Sequence, residues 1–493
     1  MNVLVTGGTG VVGRAAISEL LQRGHTVRLF TRGAEDDASS WDGPVEPWPG
    51  DVADVQSVTG AADGCDAVIH IAGIIAEDAP DVTFRGVNIE GTANVLAEAE
   101  RAGVRRLIHV SSLGADRGES DYHRSKLAGE EVVRQFDGEW CIARTGAVVG
   151  PGDETVSIVL RMVRPLPAVP VIGDGDQPFQ PVWHEDVGWA LAECLERDDV
   201  VGRTLNIAGT DVLSMRELID LFAEVTDRDP VRVPVPEFVA SVGSTLAGAV
   251  GFHTPVSAAT VQMLIEGNII RDGETNDLTG LLGREPAAIR ERLVQLVDDM
   301  PEQTPDEGVG KLKRRRFQVD IQGATLAAGA LMHGIRARFS DIVPFDAAAE
   351  PGAPTSIEEG ATLTLSLPGR GHVQLRVEQI SDTSFTLATL EGHPLAGVVR
   401  FRTSDRDGDV VRFTIDVIER AASRLDQLSM MLVGTAAQGR TWTSTAEAVV
   451  EESGGTAPDG VDEESWQLDD DEAEPLEDWI EELVQRRQRN DVA

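Results

Sequence analysis

Hydrophobic positions follow two different periods along this chain of 493 residues. In the first 300 residues, short continuous apolar runs alternate with segments of helical period. The predicted strands cover residues 2–5, 26–30, 67–71, 106–111 and 140–144. The predicted helices cover residues 15–23, 82–102, 122–136, 187–195 and 215–225. Buried apolar strands that alternate with helices predict an α/β fold with a doubly wound parallel sheet.

The period changes in the second region. Leu363, Leu365 and Leu367 alternate with polar residues, and residues 373–377 and 411–417 repeat that pattern. Such a period predicts antiparallel strands, and a helix is expected over residues 421–435. Strands wrapped on one helix predict an α+β helix-grip domain over residues 317–452. Its function is either to hold a hydrophobic ligand or to act as a purely structural sandwich.

Two further segments are defined by their charge. Residues 298–316 are acidic and contain proline before they become basic, which is typical of a linker. The basic residues 311–316 bind either a polyanion or the protein's own acidic surface, and the acidity of the chain favours the second. Residues 453–493 are predicted to be a largely disordered acidic tail. Within it, an amphipathic helix after Pro475 would dock on a partner or, the favoured alternative, on its own domain.

The net charge of −40 excludes several classes of partner. Clustered cations are needed to contact phosphates, so neither nucleic acid nor an anionic membrane surface is expected to bind. Molar intracellular salt would screen this charge, and the composition predicts a halophilic protein. No apolar run is long enough for a membrane span, and Met1 leads straight into a strand. With Cys65, Cys141 and Cys194 widely spaced, the expected compartment is the cytoplasm.

A glycine-rich turn follows the first predicted strand. Gly7 allows the tight turn, Gly10 lets a pyrophosphate approach the backbone, and Gly13 lets the helix pack on the strand. The positive end of the following helix then faces the phosphates. At the end of the second strand, Arg32 stands where an NAD-preferring protein usually carries an acid. A guanidinium suits a 2′-phosphate, so NADP is favoured over NAD, although Arg32 could equally be a solvated loop residue.

The chain contains one tyrosine and three lysines, and Tyr122 lies four residues before Lys126. On a helix these two side chains share one face, where an ammonium would lower the pKa of the phenol. The pair predicts acid/base chemistry, and the alternative is an incidental pair on an amphipathic helix. His184, Glu185 and Asp186 resemble a metal cluster, yet they precede a helix and are interpreted as its first turn. No metal is expected. His70 and His109 are interpreted as satisfied core residues.

Several segments together resemble the extended short-chain dehydrogenase/reductases, the superfamily of sugar-nucleotide epimerases and dehydratases. The nearest branch is the atypical group with the nucleotide-binding accessory subunit of respiratory complex I. The segments are TGGTGVVG at 6–13, GDV at 50–52, HIAG at 70–73, VNIEGT at 87–92, HVSS at 109–112, YHRSK at 122–126, RTGAVVGPGD at 144–153 and PVWHEDV at 181–187.

This resemblance implies a Rossmann domain over residues 1–297, with a small substrate lobe from residue 203. It implies Ser112, Tyr122 and Lys126 as the catalytic set, in which Ser112 orients the substrate and Tyr122 is the general acid/base. The implied cofactor-binding residues are Gly7, Gly10, Val11, Val12, Gly13, Arg32, Asp51, Val52, Ala72, Gly73, Asn88, Tyr122 and Lys126. A homodimer is common in the superfamily.

Two departures from the family pattern argue against sugar-nucleotide chemistry. Only nine residues separate Ser112 from Tyr122, and Thr145 replaces the usual proline. The expected function is hydride transfer between NADP and a small or lipophilic carbonyl or alcohol. The alternative is a non-catalytic NADPH-binding scaffold or sensor. Residues 320–450 in turn resemble an uncharacterised bacterial family related to the START-like lipid-binding domains.

Overall fold

Two sheets of different kinds organise the chain in a computed structural model. The structure describes residues 1–39, 41–77, 80–153, 156–236, 266, 268–298, 300–344, 350, 354–367, 371–423, 426–427 and 435–492. One compact unit comprises residues 1–160, 168–222 and 231–299, and the other comprises residues 161–167, 223–230 and 300–493.

The first sheet has seven parallel strands in the order β11-β6-β5-β4-β1-β2-β3. The strands before residue 300 are β1 Asn2–Thr6, β2 Thr26–Thr31, β3 Val45–Pro49, β4 Ala67–His70, β5 Arg106–Ser112, β6 Glu139–Thr145, β7 Val148–Val149, β8 Ala168–Ile172, β9 Pro178–Phe179, β10 Val182–Trp183, β11 Arg203–Ile207, β12 Leu213–Ser214 and β13 Val231–Val235. The doubly wound parallel sheet predicted for this region is confirmed.

Helices connect these strands. They are α1 Val11–Gln22, α2 Ala34–Ala38, α3 Val55–Val58, α4 Thr92–Ala102, α5 Asp121–Val133, α6 Ser157–Val163, α7 His184–Glu196, α8 Met215–Val225, α9 Leu278–Leu282 and α10 Ile289–Asp298. A π-helical segment, Arg85–Gly91, leads into α4. Apolar side chains of α1 and α7 pack on one face of the sheet, and those of α4 on the other.

Three expectations for the first unit need correction. Arg203–Ile207 was assigned to the substrate lobe, but it pairs with β6 as the edge strand of the main sheet. The edge strand β3 was not predicted, because two prolines at positions 47 and 49 obscure its pattern. Helix α1 begins at Val11 rather than at residue 15, because Gly10 serves as its N-cap. Much of the predicted lobe, residues 237–265, lies outside the described residues.

The second sheet is antiparallel, in the order β15-β16-β17-β18-β19-β14-β20. Its strands are β14 Val309–Gln322, β15 Thr362–Leu367, β16 Gly371–Ser381, β17 Ser384–Thr389, β18 Leu395–Arg406, β19 Val410–Ala421 and β20 Asp462–Gln467. The helices of this region are α11 Ala328–Ala337, α12 Phe339–Ile342, α13 Thr435–Ser453 and α14 Asp470–Val492. An α+β domain with an antiparallel sheet is therefore confirmed.

Each face of this sheet is covered. Helices α11, α12 and α13 pack on the inner face, where Phe317, Phe385, Phe401 and Phe413 are fully buried together with Phe339. Helix α14 packs on the outer face through Ala473 and Ile480. The expectation that the helix after Pro475 docks on its own domain is confirmed.

Two expectations for this region were wrong. Residues 309–316 are not part of a linker but the first half of β14, which pairs with β19 over almost its whole length. Residues 462–467 are not disordered, because they add β20 to the free edge of β14. The helix predicted over residues 421–435 lies mostly outside the described residues, Ala421 ends a strand, and the described helix begins at Thr435.

None of the helices that the structure describes is both long and apolar enough to cross a membrane. All three cysteines are buried free thiols.

Candidate active site

The glycine-rich turn lies where β1 meets α1. Gly7 has a φ of +70°, and a Cβ at this position would come within 2.6 Å of the Ala72 backbone nitrogen. A Cβ on Gly13 would overlap the carbonyl oxygen of Gly7. Both positions therefore exclude larger side chains. The turn brings the backbone and the N-terminus of α1 to the carboxyl edge of the sheet, where dinucleotides bind in open α/β folds.

A cleft of about 630 Å³ opens at that edge. The glycine turn, the ends of β2, β4 and β5, and helix α5 all contribute to its walls. The predicted site residues that line it are Gly7, Gly10, Val11, Val12, Gly13, Arg32, Asp51, Val52, Ala72, Gly73, Ser112, Tyr122 and Lys126. Residues more than 100 positions apart in sequence are thus brought together around one cavity.

Asn88 is the one predicted site residue that does not line the described cleft wall. Its side-chain nitrogen donates to the hydroxyl of Ser125 at 2.9 Å and to the Ile74 carbonyl at 3.1 Å, and its oxygen accepts from the Ile74 backbone at 2.9 Å. Ile74 itself lines the cleft, so Asn88 supports a residue of its wall. Asn88 therefore ties the loop after β4 to helix α5.

Tyr122 and Lys126 lie on α5, whose N-cap Ser120 accepts a hydrogen bond from the His123 backbone at 3.2 Å. The Lys126 ammonium donates to the carbonyl of Val110 at 2.8 Å. Burial lowers the pKa of Lys126 to about 8, and the charge of Glu130 opposes this change. The fixed ammonium thus reaches from α5 to the end of β5, beneath the cleft.

The pKa of Tyr122 moves in the direction opposite to the expected one. Burial of the phenol raises it, and a hydrogen bond with the Ser112 side chain lowers it only in part. The ammonium of Lys126 is directed at the Val110 carbonyl, which explains why it does not produce the expected decrease. A neutral phenol suits a proton donor, and the phenolate would have to be stabilised by whatever else binds in the cleft.

Glu130 is a site-supporting residue that the sequence reasoning missed. Its fully buried carboxylate accepts two hydrogen bonds of 2.8 Å from Arg144, one of 2.8 Å from Arg134 and one of 2.7 Å from Ser111. It follows Lys126 by four residues, so Tyr122, Lys126 and Glu130 form a ladder on one helix face. That spacing was the signal available in the sequence. Glu130 joins α5 to β5 and β6 directly below the site.

A second contact fixes the start of α5. His123 Nδ1 lies 2.5 Å from the carboxylate of Glu266, which also accepts from the Ser120 hydroxyl at 3.0 Å. Glu266 is 143 residues away in sequence, and no local pattern could have identified it.

The histidines of the central strands differ from each other. His70 is a satisfied core residue as expected, with Thr6 at 2.7 Å and Thr92 at 3.0 Å. The His109 ring is buried too, but neither of its nitrogens has a hydrogen-bond partner among the described residues, so the expectation of a satisfied side chain was wrong for His109. His184 and Asp186 belong to the first turn of α7, as predicted. Within the described ranges of the chain, no group of His, Cys, Asp and Glu could hold a metal.

The cleft lining also includes a group of apolar residues. Val148, Val156, Phe179, Met215 and Leu218 contribute side chains there. Arg32 and Lys126 are the two cations among its described lining residues.

Residues 3–208 match the model of the NAD dependent epimerase/dehydratase family. The matched residues include the glycine turn and the set of Ser112, Tyr122 and Lys126, all of which line the cleft.

Three relatives are similar to parts of this chain. Sterol demethylase protein B of Methylococcus capsulatus is 36% identical over 33% of this chain and 56% of the relative. NADH dehydrogenase [ubiquinone] 1 alpha subcomplex subunit 9 of Arabidopsis thaliana is 28% identical over 54% of this chain and 71% of the relative. Ceramide reductase of Caulobacter vibrioides is 31% identical over 44% of this chain and 64% of the relative.

The chain thus spans less than two thirds of the length of the first and third relatives. The oxidoreductase class is supported at the level of the family, and the match to a complex I subunit supports the resemblance inferred from the motifs.

Proposed function

We propose that the N-terminal domain is an NAD(P)-dependent oxidoreductase that interconverts a lipophilic alcohol and its carbonyl. The observation that carries this proposal is the convergence of Ser112, Tyr122 and Lys126 on the wall of one cleft, next to the glycine turn. Relatives named as a ceramide reductase and as a 3-beta-hydroxysteroid dehydrogenase support the substrate class.

The chemistry of the lining favours a lipophilic substrate over a sugar nucleotide. A nucleotide diphosphate needs cations in addition to those that hold the cofactor. Of the two cations in the described lining, Arg32 lies at the end of β2 and Lys126 is bonded to the Val110 carbonyl. Apolar lining residues such as Phe179, Met215 and Leu218 would instead exclude water from an aliphatic or steroidal group.

The residues of the set would divide the work. Ser112 would donate a hydrogen bond to the substrate oxygen, and Tyr122 would hold the proton that this oxygen gains or loses. Lys126 would contact the cofactor rather than the phenol, because its ammonium is directed at the Val110 carbonyl, and Glu130 would keep that ammonium protonated despite burial. When bound, the nicotinamide supplies the hydride.

The residues present fit such a cofactor. The cradle at Gly7 and Gly13 leaves no space for a Cβ, and α1 directs its N-terminus at the same place. The family description names NAD. The exposed Arg32 in the cleft wall supports the finer proposal of an NADP preference, since a guanidinium matches the 2′-phosphate.

Replacement of Tyr122 by Phe tests this function. We expect turnover of a 3-ketosteroid or long-chain ketone with NADPH to fall by about 100- to 10,000-fold, because the proton donor is lost. The Kd for NADPH, measured by nicotinamide fluorescence, should change little. Asp121→Asn, at the exposed neighbouring position, is the matched control. Unchanged turnover in Tyr122→Phe would refute the assignment.

A non-catalytic scaffold is the second candidate, favoured by the relative named as a complex I subunit. In that case NADPH would be a structural component that is released far more slowly than an enzyme turns over. Competition of bound NADPH by excess NADP+ separates the two functions. Exchange in well under a second supports the enzyme, and retention for hours supports the scaffold.

For the C-terminal domain we propose a START-like role in holding a lipophilic substrate or product. The antiparallel sheet and its helices are compatible with it. The buried phenylalanines of the inner face favour the structural alternative, since they occupy the described interior. Binding of a radiolabelled sterol or ceramide to the full chain, measured for the wild type and for Phe401→Trp, distinguishes a ligand-binding domain from a structural one. Binding that the larger ring abolishes supports a ligand, and no binding supports a structural domain.

A further inference from the structure

Four arginines converge on the outer face of the second sheet. Strand β14 contributes Arg314 and Arg316, and strand β18 contributes Arg400 and Arg402. Between these strands lies β19, and its Asp416 is opposite Arg316 on one side and Arg400 on the other. We call these four side chains the arginine patch. It is an unusual feature in a chain with a net charge of −40.

The carboxylates in the patch do not balance its guanidinium groups. Asp416, whose side chain is 5% exposed, accepts from Arg316 Nε at 3.0 Å, from Arg314 at 3.3 Å and from Arg402. Glu464 on β20 lies 3.7 Å from Arg316. Among the residues that the structure describes, four positive charges therefore face two negative ones, which leaves an excess of two positive charges.

Several donors in the patch also lack acceptors. The Nε atoms of Arg314, Arg400 and Arg402 are buried without a hydrogen-bond partner in the described part of the chain. The hydroxyl of Thr386, directly opposite Arg400, is likewise buried without a hydrogen-bond partner among the described residues. Burial and the charge of Arg402 lower the pKa of Arg400, and Asp416 opposes them only in part. Leaving such groups unpaired is costly, so a missing anionic acceptor is indicated.

Two indole rings border the patch and leave it open to solvent. Trp466 of β20 lies 5.5 Å from the Arg316 guanidinium and 5.9 Å from that of Arg314. Trp479 of α14 lies 5.5 Å from that of Arg400. These contacts orient the guanidinium groups. The exposed fraction of the side chain is 30% for Arg314, 28% for Arg316 and 43% for Arg402.

We propose that the arginine patch binds a dianionic phosphate group, such as that of a soluble phosphate monoester. Arginine forks match the oxygens of phosphate bidentately, and a dianion neutralises an excess of two charges whereas a single carboxylate does not. The acidity of the whole chain disfavours a phosphate presented on an anionic membrane. This proposal is independent of the function proposed for the N-terminal domain.

The same sheet face shows what a purely structural arginine looks like. Arg412 donates to both oxygens of Asp320 at 2.7 Å, one guanidinium for one carboxylate. If the patch served only to join strands, its arginines would be paired in the same way. Arg400 instead has no carboxylate within ion-pair distance among the described residues.

The test uses the full chain and inorganic phosphate at about pH 8, which is above the second pKa of inorganic phosphate, so that the dianion predominates. Calorimetric titration and the melting temperature are compared in phosphate and in chloride at equal ionic strength. We expect phosphate to bind and to raise the melting temperature more than chloride. Arg400→Gln should weaken phosphate binding by about tenfold or more. It should not lower the melting temperature without phosphate, because it removes an unpaired cation. Arg412→Gln is the matched control, with phosphate affinity within about twofold of wild type.

The proposal is overturned if phosphate acts no differently from chloride on the wild type. It is overturned equally if Arg400→Gln binds phosphate as well as wild type, or if Arg412→Gln loses as much affinity. Flotation with phosphatidylcholine vesicles, with and without phosphatidic acid, distinguishes the source. Binding of free phosphate without flotation supports a soluble ester, and flotation only with phosphatidic acid assigns the group to a lipid.

Discussion

The two sheets each bury a glutamate, and they treat it in opposite ways. Glu130, below the first cleft, is surrounded by Arg144, Arg134 and Ser111, and their hydrogen bonds outweigh burial and lower its pKa. Glu378, on the outer face of the second sheet, accepts from Arg487 at 2.9 Å, and one of its oxygens has no partner in the part of the chain that the structure describes. Burial and the nearby charge of Glu302 raise the pKa of Glu378 to about 8.

The difference lies in the donors, because both carboxyl groups are almost fully buried. A buried charge is tolerated when its lone pairs are filled, and it takes up a proton when they are not. The first arrangement builds a rigid support for Tyr122 and Lys126. The second leaves the contact between α14 and the sheet sensitive to pH, since Arg487 belongs to that helix.

Removing the charge of Glu130 should have the largest effect on stability. Glu130→Gln leaves the buried Arg144 with Asp116 as its remaining carboxylate. Loss of one partner from a buried pair costs about 3–5 kcal/mol, so the melting temperature of the N-terminal domain should fall by about 10 °C. Differential scanning calorimetry measures it. Glu131→Gln, at the exposed next position of α5, should change it by little, and equal effects of the two variants would contradict a special role for Glu130.

Glu378→Gln tests the same comparison through the pH dependence of the free energy of unfolding. A carboxyl group whose folded pKa is raised favours folding below its unfolded pKa of about 4.3 and loses that contribution as pH rises toward about 8. The wild type should therefore lose stability between about pH 5 and pH 8, by a few kcal/mol at most, and the variant should lose less. Glu130 has the opposite sign, since its lowered pKa contributes stability that disappears as pH falls.

Unfolding of the C-terminal domain by urea at several pH values checks this slope. Glu359→Gln, an exposed position in the same domain, should retain the wild-type dependence. A Glu378→Gln protein with an unchanged slope would show that this carboxyl group does not titrate in the range.

The smallest and least local effect concerns salt. With a net charge of −40, self-repulsion should destabilise both domains in dilute buffer, and at about 1 M KCl the screening length falls to about 3 Å. We expect melting temperatures to rise by several degrees. Salt also weakens ion pairs, but the pairs of Glu130 are buried and poorly screened. The gain in melting temperature from screened surface repulsion should therefore exceed any loss at Glu130. No rise would refute the halophilic interpretation.

Local sequence was sufficient wherever the chemistry comes from neighbouring residues. The strand and glycine turn at residues 2–13 and the four-residue spacing of Tyr122 and Lys126 are local, and the structure places them as a cleft wall. Helix Met215–Val225 was also predicted within its observed bounds. Short-range periodicity and the steric demands of glycine decide such features.

The charge pattern gave wrong predictions for strands whose pairing partners are far away in sequence. The run at residues 311–316 was interpreted as a linker from its cations, yet its alternate residues Arg315 and Phe317 face the inner core while Leu312, Arg314 and Arg316 face outward. Its partner strand β19 is about 100 residues away, and β20 lies in a tail whose acidity predicted disorder.

The sequence by itself determined the parallel α/β fold of the first region, its glycine turn and the shared helix face of Tyr122 and Lys126, because each is encoded within a few turns of chain. Only the tertiary structure decided the surroundings of the buried charges. The donors around Glu130, the link of His123 to Glu266 and the excess of guanidinium groups around Asp416 join residues far apart in the chain. Whether a buried charge is paired depends on that packing, and it sets both the pKa of the group and what the group can bind.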